Sequence, residues 1–188
     1  DNWQEYLLTN GQGNAYGLEL LLRKNTGTFT GWLAYTLSRS TRQFDGLNNG
    51  RAFPFRYDRR HSLNLSLHYQ ITKRLSLAAS WNYRTGRPIT LANGAITEPE
   101  FHYPMDDTPY NRYGGFRFID TYSPRNSQRM KDYHRLDISL RHTKQKKRGS
   151  RTWRLSIYNA YNRMNPYYYY WGTKEVNGTR KEQLYQRT

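Results

Sequence analysis

The chain contains no cysteine, and this absence excludes a disulfide framework and a thiolate metal site. It also lacks any run of about 18 consecutive apolar residues, so the sequence predicts no transmembrane helix. Apolar material is scarce, since hydrophobic residues make up 36% of the 188 residues and the mean hydropathy is −1.05. A two-layer hydrophobic core is hard to build from so little apolar surface.

Acidic residues are also few: 14 Asp and Glu stand against 30 Lys and Arg, which gives a net charge of +16. Such basicity, together with 18 tyrosines, is compatible with nucleic-acid binding. The chain, however, has no ribonucleoprotein motif, no Gly-x-x-Gly clamp and no zinc-finger spacing. We therefore expect a solvated basic surface and no nucleic-acid partner, and we keep a basic nucleic-acid-binding β domain as the third alternative.

What the chain does have is strict alternation, clearest between residues 57 and 84. Leu63, Leu65, Leu67 and Tyr69 alternate with small polar residues and His68. After a tight turn the run from Leu75 to Arg84 alternates in the same way. A period of two residues predicts strands, and a tilted strand of about ten residues is long enough to cross a bilayer.

Four further strands follow from the same pattern, and their connections alternate in length. They are predicted at residues 16–23, 28–40, 135–141 and 152–160, with short turns at 24–27, 70–74 and 144–150 and long loops at 41–58 and 85–131. All short turns then lie at one end, as in outer-membrane barrels. Soluble barrels and sandwiches alternate similarly but seldom have such long loops on one rim. The predicted fold is all-β: an antiparallel transmembrane β-barrel segment, about six to eight strands of a larger barrel.

Alternation also assigns the faces of these strands. The residues predicted to face lipid are Leu18, Leu20, Leu22, Leu33, Leu37, Leu63, Leu65, Leu67, Leu75, Leu77, Leu136, Ile138, Leu140, Leu155 and Ile157. The opposite face carries Glu19, Arg84, Arg135, Asp137, Arg141 and Arg154. We expect Arg84, Arg135 and Arg154 to pair with acidic residues of another domain or to bind anionic ligands. The alternative is pairing within the wall, for instance of Asp137 with Arg154 or Arg84.

No motif predicts an enzyme. Catalysis by serine lacks a Gly-x-Ser-x-Gly turn, the five histidines lack metal-ligand spacing, and no cofactor is expected. Glu98, Glu100, Asp106 and Asp107 are a weak calcium candidate in the longest loop, with solvated charge as the default. In the run Tyr167–Trp171, the side chains of Tyr168, Tyr170 and Trp171 are candidates for stacking on a sugar or aromatic ligand, and an extended arm above the membrane is the simpler interpretation.

Six phrases in this order resemble the C-terminal barrel strands of TonB-dependent outer-membrane receptors of the Bacteroidota type. They are Tyr16-Gly17-Leu18-Glu19, Tyr35-Thr36-Leu37-Ser38, Tyr57-Asp58-Arg59-Arg60-His61, Thr85-Gly86-Arg87-Pro88, Asp132-Tyr133-His134-Arg135-Leu136, and Tyr158-Asn159-Ala160-Tyr161-Asn162 with Asn165-Pro166. The resemblance covers nearly the whole chain. It implies a 22-stranded barrel in the bacterial outer membrane, an N-terminal plug, and import of a siderophore, cofactor or oligosaccharide driven by TonB, ExbB and ExbD.

On this resemblance, residues 1–188 are expected to be the C-terminal portion of a barrel, with the plug domain and the final strand outside the chain. We expect the natural protein to continue past Thr188 by about ten to twenty residues, the span of one tilted strand. Expected partners are the plug, the TonB system, lipopolysaccharide and outer-membrane lipid, and a surface lipoprotein. The alternative function is a non-transporting outer-membrane β-barrel or an adhesin-like β protein.

Overall fold

The computed structural model describes residues 10–99, 116–176 and 179–188, and within them the protein is all-β. The long strands are β1 (Gln12–Lys24), β2 (Phe29–Gln43), β4 (His61–Gln70), β5 (Leu75–Arg84), β7 (Ala92–Pro99), β8 (Phe116–Tyr122), β10 (Tyr133–Lys146), β11 (Gly149–Ile157), β12 (Tyr168–Val176) and β13 (Thr179–Arg187). Three two-residue strands, β3 (Phe53–Pro54), β6 (Pro88–Ile89) and β9 (Gln128–Arg129), and a 3-10 turn at Asn48–Gly50 lie in the connections. No described helix has the length and apolar character to cross a membrane.

The main sheet is antiparallel with the order β1-β2-β4-β5-β10-β11, and β3 pairs with the end of β2. Its three hairpin turns, at 25–28, 71–74 and 147–148, lie at one end of the sheet, called here the turn end. The connections 44–60 and 85–132 lie at the other end, called the loop end. The six predicted antiparallel strands and the alternation of short and long connections are confirmed.

The register places the predicted apolar residues on one face, because residues directly opposite each other in an antiparallel pair point to the same side. One row across the sheet is Leu22, Leu33, Leu65, Trp81 and Leu136. All fifteen residues predicted to share a face do so, and the six predicted charged residues lie on the opposite face.

Two predicted boundaries at the end of the sheet are wrong. The supposed turn at 144–150 is mostly strand, because Lys144 pairs with Arg151 and Lys146 with Gly149, leaving only residues 147–148 between β10 and β11. Polar side chains on both faces hid the pairing, which needs only the backbone. At the far end, β11 stops at Ile157 rather than 160, since the chain turns at Asn159, whose φ is 52°.

Buried apolar side chains lie under the loops rather than against the sheet. Among the described residues the buried hydrophobic ones are Phe53 and Met130, both at the loop end. Phe53 stacks on Phe44 at 6.3 Å between ring centroids, and β6 pairs with β9 next to Met130. The hairpin β7–β8 and the hairpin β12–β13 each form a separate two-stranded sheet. Residues 168–171 of the run Tyr167–Trp171 are therefore extended, as predicted, and they belong to a hairpin.

Candidate functional site: an uncovered apolar band and the polar face behind it

The apolar face of the main sheet is uncovered over all six strands. Leu18 and Leu155, on opposite edges of the sheet, are each 67% exposed, and Leu140 between them is 38% exposed. On this face, within the described residues, charge occurs only at the strand ends: Arg39 at the loop end, and Lys24, Lys144, Lys146 and Arg151 at the turn end. The result is an uncharged band of side chains, and in the described chain we find only Tyr161 reaching over it, at Trp81 and His134 near the loop end.

Aromatic residues border this band at both ends. Tyr16 and Tyr83 face outward near the loop end, and Phe29, Tyr69 and Trp153 do so near the turn end. A ten-residue strand is about 33 Å long and, tilted by about 40°, stands about 25 Å tall. That height, with amphipathic rings at both borders, matches the hydrocarbon thickness and the aromatic belts of membrane barrels.

Other aromatic rings near the loop end, those of Tyr35, Trp81 and Tyr161, are held by polar contacts. The Tyr35 hydroxyl and His61 Nδ1 are hydrogen-bonded at 2.8 Å. Trp81 Nε1 donates to the Tyr161 hydroxyl at 3.1 Å, and that hydroxyl also bonds His134 Nδ1 at 2.8 Å. His61 and His134 therefore orient tyrosines at the border of the band.

The polar face behind the band is lined mainly by small side chains on β4 and β5 and by charged ones on β10 and β11. Arg135 Nη2 and Asp137 Oδ2 form an ion pair at 2.7 Å, and Asp137 Oδ1 accepts a hydrogen bond from the Asn159 amide at 2.9 Å. Asp137 therefore pairs within the wall, as the alternative prediction had it, but its partner is Arg135 and not Arg154 or Arg84. Arg154 lies opposite Arg141, nearer the turn end, so a partner two residues away on β10 is closer.

The three arginines predicted as ligand contacts form no single site. Arg84 and Arg135 are diagonal neighbours at the loop end, because Arg84 lies opposite Tyr133 and Arg135 opposite Asn82. Arg154 lies beside Arg141, and six residues of strand, about 20 Å, separate Arg141 from Arg135. The polar face thus carries two basic pairs at different heights.

A cluster of polar contacts joins the loops to the strand ends. The buried carboxylate of Asp58, 4% exposed, accepts a hydrogen bond from the Ser40 amide at 2.6 Å and pairs with Arg129 Nη2. Arg129 Nη1 also donates to the Gly86 carbonyl at 3.0 Å. The sequence pattern singles out Asp58 only as part of the phrase Tyr57-Asp58-Arg59-Arg60-His61 before β4. It missed Arg129, which is 71 residues away and carries no local pattern.

Asp132 makes the matching contacts at the start of β10. Its carboxylate accepts hydrogen bonds from the Tyr83 hydroxyl at 2.6 Å and from the Gly86 amide at 2.8 Å. Burial by itself raises the pKa of the Asp132 carboxyl, but these bonds and the nearby His134 and His61 outweigh it, so the pKa lies below its usual value. Asp132 is therefore an ionised cross-link at neutral pH.

Several arginines lie close to one another near Thr85 and Gly86, and this part of the loop end is called here the corner. Arg59 Nη1 donates to the Thr85 carbonyl at 2.8 Å, beside the Gly86 carbonyl that Arg129 binds. Burial, followed by repulsion from Arg84, Arg87 and Arg129, lowers the pKa of Arg59 from its usual value. A cleft of about 450 Å³ opens next to this corner, with Arg60, Arg129 and His61 in its lining.

The hairpin β12–β13 separates the predicted aromatic trio. Tyr168 and Tyr170 project from one face, where Tyr170 stacks on Tyr185 at 5.6 Å and Arg187 Nη1 donates to the Tyr168 hydroxyl at 3.0 Å. Trp171, one position on, belongs to the other face, opposite Leu184. A ladder of Tyr168, Tyr170 and Tyr185 replaces the predicted platform, since alternation cannot put Trp171 beside Tyr170.

The weak calcium candidate stays a prediction. Glu100, Asp106 and Asp107 lie outside the described residues, and Glu98 lies in β7 with its side chain outside the description. Elsewhere in the described ranges, no three His, Asp or Glu side chains come together as metal ligands.

Compared with protein-family models, with curated proteins and with solved structures, the chain matches none of them.

Proposed function

We propose that this chain is part of the wall of a TonB-dependent outer-membrane receptor, which binds a scarce ligand and imports it through a plugged β-barrel. The observation that carries this proposal is the uncharged, uncovered apolar band across six paired strands. Contiguous exposed apolar surface of this extent marks a partner or a membrane. A sheet whose strands pair in sequence satisfies its backbone groups inside each pair, as hydrocarbon surroundings require.

The arrangement of charges and loops supports lipid as the covering phase. A protein layer over this face would need its own apolar surface, and the chain has little to offer: its buried hydrophobic residues lie at the loop end. The polar face is the reverse of a protein core, with Ser66, Ser80 and Asn82 in its middle. In a membrane barrel that face lines the lumen, against water or a plug.

The orientation follows from the connections. Short turns face the periplasm and long loops face outward in outer-membrane barrels. The loop end would then meet the ligand, with Arg84, Arg135 and the tyrosine ladder as contacts. Lipopolysaccharide would border the outer rim, and a surface lipoprotein would dock on the loops. The plug and the TonB, ExbB and ExbD proteins would act through the rest of the receptor.

The absence of cysteine makes the membrane half of the proposal directly testable. Leu65→Cys and Ser66→Cys place single thiols on adjacent residues of opposite faces. In vesicles, a polarity-sensitive fluorophore on residue 65 should emit at shorter wavelength and be quenched by brominated acyl chains. The fluorophore on residue 66 should respond to aqueous iodide instead. Equal responses at the two positions contradict a lipid-facing band.

Transport is the property that distinguishes the proposed receptor from the alternative, a non-transporting outer-membrane barrel or adhesin. The cross-linked loop end favours a fixed binding surface, which both functions could use. Deleting TonB should abolish the growth advantage that the intact gene gives on its nutrient while leaving the protein in the outer membrane. A phenotype unchanged without TonB favours the alternative.

A further inference from the structure

The turn end of the main sheet, taken as its three hairpin turns and the strand ends beside them, contains basic residues and no acidic ones. Nine Lys and Arg residues lie there, and this set is called the basic turn rim: Arg23, Lys24, Lys73, Arg74, Lys144, Lys146, Lys147, Arg148 and Arg151. No Asp or Glu occurs in residues 23–28, 71–75 or 143–151. Because the three turns lie at the same end of adjacent hairpins, the charges form one continuous positive edge.

All nine side chains are exposed. In the described structure, Arg23 Nε donates to Asn25 at 2.7 Å and the Arg151 guanidinium lies 4.5 Å from the centre of the Trp153 ring. The other seven side chains form no hydrogen bond or ion pair with any described residue. Nine like charges this close together repel one another, so the edge gains from an anionic partner outside the described chain.

The position of the rim identifies the partner. On the apolar face itself, Lys24 comes directly after Leu22, and Arg151 directly beyond Trp153. On β10, Lys144 and Lys146 continue the outward face beyond His142. These cations therefore begin where the uncharged band ends. Lysine and arginine stems can lie along apolar surface while their charged groups reach the interface.

We propose that the basic turn rim binds the phosphate headgroups of anionic phospholipids in the leaflet at the turn end. The inference rests on the proposed membrane location and adds a lipid preference to it. An acidic soluble protein could neutralise the turns, but the outward-facing cations border hydrocarbon, where headgroups are the anions at the right depth. Each basic residue near an anionic bilayer surface strengthens binding by about fivefold, so nine can select one lipid class.

The test measures lipid preference at Trp153, next to Arg151. The whole protein is reconstituted in mixtures of phosphatidylcholine and phosphatidylglycerol, in which one of the two lipids is brominated and quenches tryptophan fluorescence. The part of this quenching that is lost in Trp153→Phe is the signal of Trp153. We expect phosphatidylglycerol to be preferred by about fivefold or more at low salt, and the preference to disappear in molar salt. A variant with Gln at positions 73, 74, 144, 146, 147 and 148, which keeps Arg23, Lys24 and Arg151, should show a much smaller preference.

Two matched controls keep the charge effect separate. Exchanging Lys for Arg and Arg for Lys at the same six positions should preserve the preference. Neutralising Arg39, Arg51 and Arg56 at the loop end should leave it unchanged. The proposal is overturned if the natural sequence is quenched equally by both brominated lipids, if its preference survives molar salt, or if the six Gln substitutions leave the preference undiminished. The salt titration decides alone if the Gln variant does not insert. If neither brominated lipid quenches Trp153, the membrane location itself is refuted.

Discussion

The loop end and the turn end of the sheet are both rich in basic residues, but the two ends use them differently. At the loop end the guanidinium groups of Arg59, Arg60, Arg87, Arg129 and Arg163 donate to backbone carbonyls. At the turn end, none of the nine basic side chains donates to a backbone carbonyl in the described structure, and five of the nine are lysines. Arginine's planar fork suits carbonyl cross-links, whereas lysine's compact charge suits mobile anions. The comparison separates charge that builds the fold from charge left for partners.

In the proposed location, hydrocarbon lies between the two ends of the sheet. A substitution at Leu65, in the middle of β4, is the most severe test of this location. Leu65→Arg should destabilise the inserted protein by about 2 to 4 kcal/mol, because its charge would face the bilayer centre. Urea unfolding from vesicles measures the loss. Ser66→Arg, on the polar face, is the control and should cost much less. Similar losses for both substitutions contradict the two-faced arrangement.

The loop end should be intolerant of volume at Gly86. A side-chain carbon there would collide with the carbonyl of Met130, which is backbone and cannot rotate away. Gly86→Ala should therefore cost about 3 kcal/mol, the upper part of the range for overpacking. Thermal unfolding in detergent is the measurement. In Gly13→Ala the nearest atom lies at an ordinary 3.7 Å, so this control should change little.

Removing the Asp58 carboxylate should have the next largest effect. Asp58→Ala leaves the Ser40 amide and the Arg129 guanidinium without their acceptor. We expect a loss of about 2 kcal/mol, less than for a fully buried pair because Arg129 can still reach water. Asp45→Ala, an exposed carboxylate in the same loop, should be nearly neutral. A neutral Asp58→Ala would mean that the loop end is not cross-linked as described.

Acid should weaken the loop end through Asp132. Its folded pKa is below the ordinary value, so the ionised carboxylate adds stability above the unfolded pKa of about 4, and that stability disappears as pH falls through the folded value. The difference in urea midpoint between the natural sequence and Asp132→Asn should shrink on acidification. A difference that is constant from neutral pH to pH 3 would assign Asp132 no titrating role.

The turn end should be the most tolerant of change. Lys73→Ser and Arg74→Ser remove exposed side chains without described partners, so unfolding free energies should stay within about 0.5 kcal/mol. Denaturant titration in zwitterionic detergent measures the unfolding free energy without any contribution from anionic lipid. A larger loss would show that the turns, like the loops, depend on their basic side chains for folding.

Much of the main sheet could be predicted from sequence, because alternation fixes a face independently of any partner. Leu63, Leu65 and Leu67 had to share a side whatever strand lay next to them, and the pairing of successive strands followed from short turns. The same rule shows why Trp171 cannot join Tyr168 and Tyr170, so the split of that trio was within reach of the sequence.

Long-range partners could not be predicted in this way. The bond between Asp58 and Arg129 depends on the path of the connection 85–132, and no periodicity encodes that path. Asp137 shares its face with several arginines and pairs with Arg135, and the sequence could not select this partner because distances along and across strands differ by only a few ångströms. The strand β7 was missed because Ala92–Pro99 contains glycine and proline and has no clear alternation.

The seam between β5 and β10 has a consequence for the order of assembly. Strands β1, β2, β4 and β5 pair with near neighbours in sequence, and β10 pairs with β11 across a two-residue turn, so each group can form locally. Joining them requires closure of residues 85–132, and the entropy lost in closing a chain segment is paid before long-range contacts form. The bonds from Tyr83 and Gly86 to Asp132 lie at the point of closure, where they hold β10 in register. We expect this closure to be the slow step of assembly, which follows the formation of the two groups of strands, β1-β2-β4-β5 and β10-β11.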